Sequence, residues 1–152
     1  MKIGFDLDGV LCDCSGTILN FERVFEKMNV DNIDKIDQYY YKERKPLLNP
    51  KLFMGEQDIG FCITSRPRKF RDVTNRWMNK YYSDIPVYLL KNEIKAKDCV
   101  SFDDIMRRVA IEKIKLIEEL KLDVYIDDTP NIIYWMRKLN TGVKFIQYGG
   151  LL

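Results

Sequence analysis

Histidine is absent from this chain of 152 residues. Without it, the closely spaced Cys12 and Cys14 lack the mixed ligand set common at zinc centres, and a four-cysteine site would have to recruit the distant Cys62 and Cys99. Cys62 falls inside a predicted core strand, where a thiol behaves as a small hydrophobe. The cysteines therefore read as reduced thiols of a cytoplasmic protein. Also absent is any apolar run near the roughly 18 residues that a membrane span needs. The N-terminus reads as a strand rather than a signal peptide, so no membrane partner is expected. Nor is there an excess of one charge: Lys and Arg total 25 against 23 Asp and Glu, a net +2 that gives no strong attraction to nucleic acid or membrane. Basic residues do cluster locally, at Lys42, Arg44 and Lys45 and at Arg66, Arg68, Lys69 and Arg71. Internal repeats and low-complexity segments are missing too.

What is present suits one compact domain over residues 1–152. Five short apolar runs are strand candidates: Lys2–Asp8, Ile59–Ser65, Pro86–Leu90, Asp123–Asp128 and Val143–Tyr148. Several are nearly continuous rather than alternating, as expected of strands covered on both faces. Between them run helical periodicities, through Ile18, Phe21, Phe25 and Met28 and through Met106, Ala110, Ile114, Ile117 and Leu120. Pro67 and Pro130 each stand where a first helical turn should begin, and Gly142 where a helix should end. Alternating strand and helix predicts an α/β fold, a three-layer Rossmann-like arrangement around a mainly parallel sheet. Asp31 to Gly55 breaks the alternation, being polar, rich in tyrosine and ending in proline-marked loops. It predicts a small helical cap insertion, spanning residues 17–57.

The chemistry gathers at strand ends. In open α/β sheets, ligands bind beyond the carboxyl ends of the strands. Here those ends carry Asp6 and Asp8, then Thr64-Ser65-Arg66, then Asp127-Asp128. Aspartate is a poor strand former, so paired acids there are not explained by the strand itself. Asp-Gly is a common turn pair, and Asp127 and Asp128 could cap the helix that begins near Pro130, although Thr129 could cap it unaided. Four carboxylates drawn to one edge would repel one another, and a bound cation resolves this. Oxygen ligands without cysteine or histidine point to Mg2+. A carboxylate beside Mg2+ can attack phosphorus, and a hydroxyl and a lysine nearby would hold the phosphoryl oxygens. The constellation fits phosphoryl transfer.

The same residues carry a family resemblance. FDLDGV resembles the first motif of the haloacid-dehalogenase-like (HAD) phosphohydrolases, FCITSRP the second and VYIDDTP the fourth. EKIKLIEEL supplies Lys113 about where the lysine of the third motif stands. The resemblance implies that Asp6 is the nucleophile and a magnesium ligand. It implies that Asp8 is the general acid/base, with its backbone carbonyl also on the metal, and that Asp128 is a further magnesium ligand with Asp127 in support. Thr64 and Lys113, with Ser65 and Arg66, are the implied substrate-binding residues; Lys115 and Lys91 compete with Lys113, which would sit mid-helix if one helix ran from about Ser101 to Leu120. Arg66 and Arg68 would bind a second phosphate of the substrate or lie on the surface.

With 57 residues between Asp6 and Thr64 there is room for only a small cap. That is most like the deoxyribonucleotidase-like branch, which implies a nucleoside monophosphate or another small phosphorylated substrate. The tyrosines 39–41, or Phe21 and Phe25, could then stack on a base; the phenylalanines also suit a core at helical spacing. A phosphatase on nucleic-acid 3′ ends is the less favoured alternative, with the arginines after Thr64 tracking a backbone. A non-catalytic binding domain is a third. A short lid is sometimes completed by a neighbouring subunit, but nothing in the sequence shows such an interface, and it does not give the oligomeric state.

Overall fold

The structure, a computed structural model, describes residues 1–14 and 41–149. The first helical periodicity (Ile18 to Met28), Tyr39 and Tyr40, and most of the insertion expected over 17–57 lie outside the described residues. Five strands form one parallel sheet: β1 (Lys2–Asp6), β2 (Ile59–Thr64), β3 (Val87–Leu89), β4 (Val124–Asp127) and β5 (Lys144–Gln147). Their order across the sheet is β3-β2-β1-β4-β5, and every neighbouring pair is parallel. Among the elements lying wholly within the described residues, three α-helices accompany them: α1 (Arg71–Tyr81), α2 (Phe102–Leu120) and α3 (Pro130–Leu139). Among the described residues no helix is long and apolar enough to cross a membrane.

All five expected strands exist, each shorter than expected by one or two residues. The difference matters at β1. It ends at Asp6 rather than Asp8, because Leu7 to Cys12 turn back on themselves: the Cys12 amide donates to the Leu7 carbonyl at 2.8 Å and the Gly9 amide to the Cys12 carbonyl at 2.8 Å. Asp6 and Asp8 therefore sit on different pieces of backbone. Pro130 opens α3 as expected, whereas Pro67 only precedes a 3-10 turn (Arg68–Phe70) that feeds α1. Gly142 lies beyond the end of α3, its amide donating to the Asn140 side chain.

Alternation along the strands divides the core into two layers. Ile3 and Phe5 of β1, Cys62 of β2 and Ile126 of β4 face Trp77 and Met78 of α1. Ile63 of β2 and Tyr125 of β4 face the other way, onto Ala110, Ile114 and Ile117 of α2 and Ile132, Ile133 and Met136 of α3. Gly4 belongs to this second face, where a Cβ would stand 2.5 Å from Leu122 and 2.6 Å from the Tyr125 ring. Two residues on in each strand, Asp6 and Asp127 continue the Gly4 and Tyr125 rows. The register pairs Gly4 with Tyr125 and Phe5 with Ile126, so both acids emerge side by side on the α2 face.

The described segments on either side of residues 15–40 are tied to each other. The Asp13 amide donates to the Lys45 carbonyl at 2.9 Å, and the Leu47 amide to the Leu11 carbonyl at 2.8 Å. The buried Tyr82 hydroxyl shares its proton between the carbonyls of Leu11 and Leu48, at 2.9 and 2.8 Å. Leu11–Asp13 and Lys45–Leu48 thus form a closed neck resting on the end of α1.

Helix α2 starts on a strong signal. The Ser101 hydroxyl accepts from the Asp104 amide at 3.0 Å, and the Asp104 carboxylate accepts from the Val100 amide at 3.1 Å. Arg107 and Arg108 pair with the same carboxylate. Hydrogen bonds, that from Arg107 foremost, hold Asp104 below the usual carboxylate pKa. A lowered folded pKa gives stability that is present above the unfolded value and lost as pH falls through the folded one. Asp104→Asn should lower the melting temperature at pH 7, and the gap to wild type should close below about pH 4. A gap that stayed constant in an acid titration of thermal stability would contradict this.

Candidate active site

Lys113 organises the site. It stands mid-helix in α2, on the same stripe as Ala110, Ile114 and Ile117, and is 1% exposed. Its ammonium donates to Asp6 Oδ1 at 2.9 Å and to Asp127 Oδ2 at 2.6 Å, joining the ends of β1 and β4. Lys115 pairs instead with Glu112 and Lys91 with Glu119, both lysines being half-exposed. Burial alone would lower the Lys113 pKa, but Asp127 and Asp6 outweigh it and hold the ammonium charged.

Asp128 completes an acidic trio. Carboxylate oxygens of Asp6, Asp127 and Asp128 lie within 4.8 Å of one another. Burial and the neighbouring Asp127 push Asp128 above the usual carboxylate pKa. Burial pushes Asp6 up as well, against the pull of Lys113. Three carboxylates against one ammonium leave a net charge near −2. A divalent cation held by hard oxygens fits that deficit, and Mg2+ suits the donor set. Asp127 already accepts from Lys113 on one oxygen and from the Thr129 amide, at 2.9 Å, on the other. Asp6 and Asp128 are therefore the better placed of the three to hold the metal.

Gly9 is required here by geometry. Its φ of +87° lies in the left-handed region, and a Cβ on it would stand 2.0 Å from Asp128 Oδ2. The glycine directly after Asp8 thus lets the turn lie against the acid that follows β4.

Asp8 is placed differently from the trio. Its carboxylate is gripped by Arg66, with Nε to Oδ2 at 2.8 Å and Nη2 to Oδ1 at 2.6 Å, and by Arg44, with Nη1 to Oδ1 at 2.6 Å. Burial would raise its pKa, but the two guanidinium groups outweigh that and hold it below the usual range. The Tyr41 ring packs over both, 4.0 Å from Arg66 and 4.9 Å from Arg44. Thr64 is buried at the end of β2, its hydroxyl accepting from the Arg66 amide at 3.2 Å. Ser65, next to it, is exposed.

Of the arginines expected to meet substrate, Arg66 is buried against Asp8, and Arg68 turns to the Leu90 and Lys91 carbonyls. Arg71 is exposed at the start of α1. Sequence reasoning did not single out Arg44 beyond its basic cluster; no local signal marks it, since it reaches Asp8 only because the neck folds back. Cys12 and Cys14 lie beside the same arginines, Arg66 Nη2 to Cys12 Sγ and Arg44 Nη1 to Cys14 Sγ each at 3.5 Å.

Two substitutions probe this charge balance. Lys113→Met strands the buried carboxylates and should cost about 3–5 kcal/mol of stability. Asp6→Asn leaves Lys113 paired with Asp127 and removes one repelling charge, so metal-free melting should stay level or rise by about 2–4 °C. Thermal melts in chelator read both, and a fall for Asp6→Asn would contradict the excess of negative charge. Gly9→Ala should displace Asp128 and weaken the stabilisation by added Mg2+ by at least about tenfold in affinity, read from melts against metal concentration. An unchanged metal response would remove Asp128 from the cation site.

No protein-family model matches the sequence, and no curated protein matches it. Solved structures do match. A HAD-superfamily hydrolase of subfamily IA, variant 1, from Geobacter sulfurreducens aligns over 99% of this chain and 88% of its own, with TM-score 0.58 and 13% identity. A HAD family enzyme from Bacteroides thetaiotaomicron, in a magnesium complex, aligns over 98% and 93%, with TM-score 0.54 and 15% identity. A chain of the Pnkp1/Rnl/Hen1 RNA repair complex aligns over 98% of this chain, with TM-score 0.57 and 19% identity; this chain spans 42% of its length. The five-stranded parallel sheet with its helices is the HAD-like fold of these hydrolases.

Proposed function

We propose that the chain is a Mg2+-dependent phosphomonoesterase working through an aspartyl-phosphate, on a substrate of the nucleotide class. The observation that carries the reading is Lys113 bridging Asp6 and Asp127 with Asp128 alongside. That arrangement orients a nucleophilic carboxylate beside an ammonium at the mouth of a parallel sheet, where phosphates are received. Asp6 and Asp128 would hold the metal, which supplies positive charge to the phosphoryl oxygens.

In the first step an Asp6 oxygen attacks phosphorus, the bond from phosphorus to the ester oxygen breaks, and Asp8 gives that oxygen a proton. In the second, water attacks the aspartyl-phosphate, Asp8 takes the water's proton, and inorganic phosphate leaves with Asp6 restored. Arg66 and Arg44 hold Asp8 ionised before substrate enters, the form that accepts a proton in the second step. For the first step Asp8 would take a proton from solvent as that grip loosens, and the proton it takes from water in the second step would return to solvent. Lys113 and the Thr64 hydroxyl would stabilise charge on the phosphoryl oxygens. Likeness to a structure solved in a magnesium complex supports the choice of metal, and the free cysteines suit a cytoplasmic setting.

The test is phosphate release, with and without Mg2+, from nucleoside monophosphates, sugar phosphates and a 3′-phosphorylated oligonucleotide. Release should require Mg2+, and Asp6→Asn should lower it by at least about 10³-fold while the fold survives, since a carboxamide is a poor nucleophile. Residual activity within tenfold of wild type would remove Asp6 as nucleophile. Silence across the panel would sink the phosphomonoesterase reading.

A further inference from the structure

The two arginines at Asp8 differ in what they have left to give. Arg66 is 4% exposed and engaged through all three nitrogens: Nε and Nη2 on Asp8, Nη2 also on Cys12 Sγ, and Nη1 on Thr74 Oγ1 at 3.2 Å. It is a structural clamp. Arg44 makes its contacts with Asp8 and Cys14 through Nη1, and its buried Nε finds no acceptor among the described residues. A guanidinium offers five N–H donors, and a buried donor left unmade costs free energy.

Arg44 is nonetheless held in place from behind. The Trp77 indole donates to its carbonyl at 2.7 Å, and the neck pairs the next residue, Lys45, with Asp13. Two guanidinium groups on one carboxylate also leave a local charge of about +1 beside a carboxylate that is 31% exposed. A positioned, partly unsatisfied cation at an open acid is arranged for an anion.

We propose that Arg44 binds an anionic group on the leaving side of the substrate, beyond the phosphoryl group being removed. The inference rests on the reading above, in which Asp8 protonates the leaving oxygen. Whatever lies against Asp8 then lies against the leaving group, and Arg44 Nη1 is 2.6 Å from Asp8 Oδ1. The substrate class is a phosphate monoester whose leaving group keeps a second phosphate, as in a nucleoside bisphosphate or the phosphodiester of a strand end. A neutral nucleoside would add no anionic partner to those Arg44 already has, Asp8, Cys14 and the Tyr41 ring.

The experiment compares kcat/KM, with Mg2+, for adenosine 3′-monophosphate, adenosine 5′-monophosphate, adenosine 3′,5′-bisphosphate and a dinucleotide 3′-phosphate, in the wild type, Arg44→Gln and Arg44→Lys. Wild type should prefer a substrate with a second phosphate over both monophosphates by at least about tenfold. Arg44→Gln should bring the ratio within about threefold, and Arg44→Lys should restore part of it. A general loss of Asp8 function would lower all four values together and leave the ratio intact. Preference for the dinucleotide over the bisphosphate assigns the anion to a strand, and the reverse order to a small molecule. Equal use of all four by wild type, or a ratio that survives in Arg44→Gln, overturns the proposal. Calorimetric binding of the same compounds separates it from the reaction. Discrimination by wild type that Arg44→Gln loses, without turnover of any ester, keeps the anion site and sinks the phosphatase reading; absence of discrimination in binding sinks the anion site.

Discussion

The salt bridge from Lys113 to Asp6 and Asp127 is the interaction on which the rest of this site depends. An ammonium 1% exposed would be untenable alone, and so would the carboxylates at the ends of two adjacent parallel strands. Each makes the burial of the other possible. The geometry follows from ordinary sheet rules: β1 and β4 pair in register, their side chains alternate, and the last residue of each on the α2 face is an aspartate. The apolar stripe of α2 packs on that face and carries one lysine where Ala110 and Ile114 would lead one to expect a hydrophobe. Gly4 and Tyr125 just below fill the space beneath the charges, with the Tyr125 ring 5.5 Å from the ammonium.

A second charge system stands beside the first and is wired differently. Asp8, on the turn after β1, is neutralised by Arg66 from the loop that follows β2 and by Arg44 from the neck. That neck rests on α1 through Trp77 and Tyr82. One acid therefore couples the sheet, the helix on its other face and the neck. The division of labour is electrostatic: a lysine-centred cluster short of positive charge, which favours a divalent cation, and an arginine-centred one with positive charge to spare, which favours an anion.

How far the sequence reached can be judged residue by residue. The five strands and their alternation with helices were legible because buried parallel strands read as short apolar runs, and the HAD-like fold followed from motif order. The first strand was read too long, since Leu7 is as apolar as a strand residue although it belongs to a turn whose hydrogen bonds are not visible in one dimension. Lys113 was the hard case. A lysine in the middle of a helix resembles a surface charge, and only the packing of α2 on the sheet distinguishes it from Lys115 two residues later. Arg66 was expected to meet substrate and is instead buried against Asp8; what made the difference was Thr74, one turn into α1, and Cys12 closing around it.

The amino-acid sequence by itself determined which chemistry the chain can hold. Acids end the first and fourth strands and a threonine ends the second, histidine is absent, and a parallel α/β order brings those ends to one edge. Tertiary structure alone decided which charges meet. Asp6 and Asp127 face Lys113, while Asp8, two residues from Asp6, faces Arg66 and Arg44. The physical reason is that side-chain pairing over 14 to 107 residues of separation depends on register, helix rotation and the path of the neck, none of which leaves a local pattern in the chain.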